Sequence, residues 1–174
     1  MDKFAHINKI KEIYSSGGNI IQYLKNLNNQ TQNTIEDILI SYEFQAGSYT
    51  KDLSDNNNFR KKFCSALAKI INNLLPINSI IEIGVGEATT LSYLIKQLNN
   101  QNLNIFGFDI SWSRLKFAKE LTKYLQIENV NLFVADLFNI PLNDNSIDIV
   151  YTNHSIEPNG GREEEALKEL YRIC

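Results

Sequence analysis

Cysteine is scarce in this chain of 174 residues. Cys64 stands in a helical pattern and Cys174 is the last residue, so neither a disulfide framework nor a metal cluster is expected. Long apolar runs are missing too. None approaches membrane-spanning length, and the first residues, "MDKFAHINKIKEIY", lack the apolar centre of a signal peptide. Nor is there an excess of positive charge. Seventeen Lys and Arg against twenty Asp and Glu leave a formal net charge of -3, which argues against a nucleic-acid backbone as partner. Neither a repeat nor a low-complexity tail is present. The cytoplasm is the simplest location for a chain with these gaps. What remains is ordinary for a soluble domain with a sizeable core: 43% hydrophobic and 21% charged residues.

The pattern divides near residue 75. Residues 1–75 carry helical periodicity and almost no strand signal. Phe4, Ile7, Ile10 and Ile13 form one stripe, "NIIQYLKNL" and "TIEDILISYEF" follow, and "FRKKFCSALAKIINNLLP" runs from capping residues to a stop at Pro76. Residues 76–174 alternate. "SIIEIG", "NIFGFDIS", "VNLFVAD" and "SIDIVYTNH" read as strands, with a helix around Thr89–Leu98 after the first, "RLKFAKELTKYL" after the second and "REEEALKELYRI" after the fourth. Alternation of this kind implies right-handed crossovers and an α/β fold with a doubly wound, mostly parallel sheet. Four strands are only part of the usual sheet of this type. The sequence also stops within a helix pattern, so a longer natural protein is expected. A partner chain or a second copy completing the sheet is the alternative.

The chemistry concentrates at the strand ends. In open parallel sheets ligands bind at the carboxyl ends of the strands, where strand order reverses. The turn Gly84-Val85-Gly86 falls at such an end, and its glycines allow close backbone approach. A phosphate there would meet like charge from Glu82 and Glu87, whereas a cationic ligand would not. Asp109 ends the second strand, 25 residues after Gly84, where an acid accepts both hydroxyls of a ribose. Asp136 ends the third strand and is placed to accept from an exocyclic amine. The ligand so described is a nucleoside without phosphates and with a positive end.

"IIEIGVGEATTL", "IFGFDIS" and "LFVADLFNIPLNDNSIDIVYTNHSIE" resemble the successive motifs of the Rossmann-like S-adenosylmethionine-dependent methyltransferases, over residues 77–173. The resemblance implies S-adenosylmethionine as cofactor, S-adenosylhomocysteine as product and a small-molecule methyl acceptor as partner. It places Glu82, Gly84 and Gly86 against the methionine part, Asp109 on the ribose and Asp136 at the adenine amine. The backbone N–H of Leu137 then faces an adenine ring nitrogen, and Asn153 lies against the cofactor. Ala88 departs from the family pattern, which has a third glycine there. "YEFQAGSYT" resembles a cofactor lid, with Gln45 and Tyr49 donating to the methionine carboxylate; a helix end at Gly47 with Tyr49 packed on the core is the other reading.

His154, just past the fourth strand, is the candidate general base if the acceptor must lose a proton. Its alternative is to shape the pocket. Trp112 is a candidate lining residue for the ribose or adenine edge, or a packing residue. No metal site is expected. Two other functions stay open at this point. One is a non-catalytic cofactor-binding or partner-completed module. The other is a nicotinamide-dependent dehydrogenase, against which the two glutamates and the missing glycine count.

Overall fold

The computed structural model describes residues 6–51, 58–74, 76–100 and 102–174. Phe4 of the first stripe and the capping residues ahead of Phe59 lie outside them. The helical part comprises α1 (Ile7–Ser15), α2 (Ile20–Leu27), α3 (Ile35–Gln45), the single turn α4 (Ser48–Lys51) and α5 (Asn58–Asn73). Starts are dictated locally: Asn19 caps α2 through Gln22 N–H, and Thr34 with Asp37 makes a reciprocal capping box on α3. Ile10, Ile20 and Leu24 close a small core of their own against Ile40 and Phe44.

The second part follows as β1 (Ser79–Ile83), α6 (Thr89–Ile95), β2 (Asn104–Asp109), α7 (Trp112–Tyr124), β3 (Val130–Val134), β4 (Ile149–Thr152) and α8 (Glu163–Ile173). All four strands are parallel, in the order β3-β2-β1-β4. Strand order therefore reverses between β1 and β4, and β1 is central and wholly buried. A parallel sheet buries both faces, which explains why "SIIEI" is apolar without alternation. On one face Ile80, Leu91, Leu94, Ile105 and Ala118 join the core with Ala68 and Ile71 of α5. On the other, Ile81, Ile83 and Phe108 meet Leu170 and Ile173 of α8. No helix among the described residues is long and apolar enough to cross a membrane.

Two carboxylates tie distant segments together, one within the sheet and one between the two parts. Asp148 accepts from the N–H groups of Asn78 (2.6 Å) and Ser79 (3.0 Å), fixing the start of β1 beside β4. Those hydrogen bonds hold its carboxyl below the ordinary range. Glu87, only 1% exposed, accepts from the N–H groups of Gly47 (2.9 Å), Tyr49 (3.4 Å) and Thr50 (2.7 Å). It thus anchors the turn into α4 on the loop after β1. Replacing Glu87 by Ala leaves these amides without an acceptor and should cost about 2–3 kcal/mol of stability. Glu87→Gln, which keeps one oxygen, should cost less. Urea unfolding of both variants checks the order.

Candidate functional site

The loop after β1 is forced into shape by its backbone. Gly84, Gly86 and Ala88 all have positive φ, at 64°, 55° and 57°. Val85 N–H donates to Phe108 O (2.8 Å), binding the loop to the end of β2. A Cβ on Gly84 would lie 2.2 Å from Ser155 Cβ, so glycine is required by space as well as by φ. Ala88 occupies the position of the missing third glycine and keeps the left-handed conformation, fully buried at the start of α6. It carries the strain of that conformation, of order 1 kcal/mol for an L-residue.

Two chambers open on either side of Gly84. The first, of about 60 Å³, has apolar walls from Ile35, Ile38 and Phe108 and is lined by Asp109, Asp136 and Leu137. Asp109 is 4% exposed, and its two oxygens accept from Gly86 N–H and Ser111 N–H, each at 2.9 Å. Burial raises its carboxyl above the ordinary range, opposed by Arg114 and by these amides. Asp136 is half-buried, lines the chamber and accepts from Phe138 N–H (3.0 Å) in a local turn. Ser111 caps α7 through Arg114 N–H and donates to Glu43 of α3 (2.8 Å), so the helical part roofs the same end of the sheet.

The second chamber, of about 270 Å³, is lined by Glu82, Glu87, Thr90, Asn153, Tyr49 and Arg60, among others. Glu82 is 2% exposed and accepts from the Tyr151 hydroxyl (3.0 Å). Burial pushes its carboxyl up to about 8, against the hydrogen bonds from Tyr151 and the Leu91 backbone. Glu82 is therefore mostly protonated at neutral pH. Asn153 Nδ2 reaches Thr90 Oγ1 at 3.5 Å.

The predicted residues are mostly brought together. Gly84, Asp109, Asp136 and Leu137 line the first chamber, Glu82, Gly84, Asn153 and Tyr49 the second, and Gly86 lies on the loop between them. Three expectations differ. Glu87 was expected to face a cation, but its carboxylate is held by backbone amides of the turn into α4. Gln45 bonds Ser41 Oγ (2.9 Å) and lines a separate groove between the N-terminal helices, because α3 ends with that face turned to α2. Trp112 is 59% exposed and lines neither chamber; as the first residue of α7 it follows the packing alternative instead, its ring under Lys116 of the same helix. His154 stands at the rim of both chambers with positive φ (58°). Its side chain is 79% exposed and pairs with Glu157 at 3.2 Å.

Two residues of the site lack any mark in the sequence. Tyr42 of α3 lines both chambers, and burial pushes its hydroxyl up to about 12. Arg114 of α7 also lines both. A cation followed by "LKFAK" reads as a helix surface; only the fold turns it inward.

Residues 80–174 match the model of a family described as "Methyltransferase domain". The chain is 27% identical over 150 residues to malonyl-[acyl-carrier protein] O-methyltransferase of Marinomonas sp. (strain MWYL1), covering 78% of this chain and 52% of that protein. The chain thus spans about half the length of this curated relative. Among solved structures, it resembles a SAM-dependent methyltransferase from Aquifex aeolicus, with TM-score 0.58, 21% identity and coverage of 73% and 66%. A protein from Methanococcus maripaludis, assigned as S-adenosyl-L-methionine-dependent methyltransferase, gives 0.59, 23%, 73% and 57%. The [4+2]-cyclase SpnF gives 0.53, 17%, 63% and 40%, so likeness at this level speaks for the fold alone.

The protonation of Glu82 has a measurable sign. Its folded value lies above the ordinary 4.5, so the native state keeps this proton to higher pH than the unfolded chain. Its contribution to stability is full below pH 4.5 and is lost as pH rises through about 8. Thermal unfolding between pH 5 and 8.5 should show the parent protein losing midpoint relative to Glu82→Gln as the pH rises.

Proposed function

The chain belongs to the methyltransferase-domain family, and from that premise we propose that it binds S-adenosylmethionine and serves methyl transfer to a small-molecule acceptor. The carrying observation is the first chamber: a small apolar slot with a carboxylate at each of two neighbouring strand ends, above a positive-φ glycine turn. An adenosine fits this donor set. Asp109 accepts from the ribose hydroxyls with the lone pairs left beside its amide partners. Asp136 accepts from the adenine amine, and Leu137 N–H meets a ring nitrogen. Apolar side chains of α3 cover the base.

Gly84 and Gly86 would hold the methionine part between the chambers, and Glu82, Asn153 and Tyr49 would line its place in the second. When bound, S-adenosylmethionine supplies an electrophilic methyl on a sulfonium that is its own leaving group. The chain's task is to hold two reactants in line and keep water out. Where the acceptor must lose a proton, His154 with Glu157 is the base we assign, working from the rim. Gln45 enters this scheme only if α3 and α4 shift toward the loop. We place the protein in the cytoplasm.

Calorimetry with S-adenosylmethionine, S-adenosylhomocysteine and NAD tests the reading. The adenosyl ligands should bind and NAD should not; tight NAD binding without response to either adenosyl ligand sinks it. Asp109→Ala should weaken S-adenosylhomocysteine binding at least tenfold, about 1.4 kcal/mol. Unchanged affinity would remove Asp109 from the ribose.

A further inference from the structure

Arg114 lines both chambers, and beyond the positive charge it sets beside Asp109 the methyl-donor reading gives its guanidinium donors no partner. Its guanidinium carbon lies 4.9 Å from the ring centre of Tyr42 and 5.2 Å from that of Tyr49, held between faces that the helical part supplies. Its side chain is only 12% exposed. The nearest carboxylate, Asp109, is 3.8 Å away, beyond hydrogen-bond distance, and already accepts from two amides. Arg114 Nε is buried without a partner, and among the described residues none of the guanidinium donors meets an acceptor. The two acids of the neighbouring chamber do not supply one either: Glu82 is turned to Tyr151, and Glu87 to the backbone of 47–50.

A planar five-donor fork, fixed by stacking and unsatisfied, is the arrangement that takes a planar anion at two points. It also stands where a ligand must pass. A Cβ on Gly86 would lie 2.4 Å from Arg114 Nη2, so the guanidinium rests directly on the glycine turn between the chambers. We infer that Arg114 is a carboxylate-reading residue of the second chamber, which binds a ligand carboxylate through its guanidinium fork. With the Asp109 carboxylate already 3.8 Å from the guanidinium, one further negative charge is better tolerated than the two of a phosphate monoester. The carboxylate has two chemical sources, the amino-acid end of the methyl donor or an acidic group on the acceptor. The inference rests on the proposed function and deepens it.

The test compares S-adenosylhomocysteine with 5′-methylthioadenosine, which shares the adenosine and thioether and lacks the amino-acid end. Dissociation constants are measured by calorimetry for the full chain, Arg114→Gln and Arg114→Lys, with malonate then titrated into each S-adenosylhomocysteine complex. If the donor's carboxylate is read, Arg114→Gln weakens S-adenosylhomocysteine at least tenfold and leaves methylthioadenosine within twofold. If an acidic acceptor is read, both adenosyl ligands stay within twofold and malonate binding to the complex is lost. Arg114→Lys keeps the charge without the fork, and should recover only part of either effect; should Arg114→Gln fail to fold, Arg114→Lys carries the comparison. Equal loss for both adenosyl ligands, or no change with any probe, overturns the inference and leaves the methyl-donor reading intact. Failure of the parent protein to bind either adenosyl ligand refutes that reading, and the inference with it.

Discussion

The carboxylate of Asp109 is the constraint on which the ligand-facing end of the molecule depends. It lies at the end of β2 and accepts from one amide in the loop after β1 and one in the turn after β2. Those two segments are not neighbours in sequence, and the common acceptor adds to the Val85–Phe108 hydrogen bond in setting their spacing. From Ser111 the linkage continues through its hydroxyl to Glu43, and so to the helical part that roofs the first chamber. A single buried acid therefore orders the loop, the start of α7 and the roof. Burial raises its carboxyl above the usual range, so the amides and Arg114 beside it are what keep the charged form accessible.

Charge at this end of the sheet is less acidic than the residue types suggest. Of the acids near the glycine turn, Glu82 holds a proton under burial, Glu87 is saturated by backbone donors, and Asp136 is partly occupied by its own turn. Two glutamates beside the glycines therefore repel a phosphate only weakly: they mark the loop without both presenting a free negative charge to the ligand.

Much of the fold was legible in sequence, for physical reasons that differ by element. β1 is buried on both faces and must be continuously apolar, so "SIIEI" announces itself. Asp109 and Asp136 stand at strand ends, where topology rather than local chemistry gives them a role. Ala88 looked like a defect in the glycine pattern; the backbone shows that the position still demands positive φ, and alanine tolerates it. The rest depended on contacts across long stretches of chain. Tyr42 and Arg114 meet only after α3 docks on α7, and no periodicity signals that meeting. Trp112 had two readings in sequence, and only the start of α7 at this residue decides for its place under Lys116 rather than on a chamber wall. Gln45 turned away because the end of α3 follows the small N-terminal core.

The contact between Glu87 and residues 47–50 bears on where this protein can be divided. The family likeness begins at residue 80, on the far side of that contact. A gene fusion or a transplanted domain cut at that boundary would carry away a carboxylate shaped to hold three amides and leave the amides behind. The unit of inheritance that a sequence comparison recognises is thus smaller than the unit that is mechanically whole. For this chain the helical part cannot be exchanged like an ornament, because a wall of the second chamber and the anchor of the turn into α4 are the same side chain.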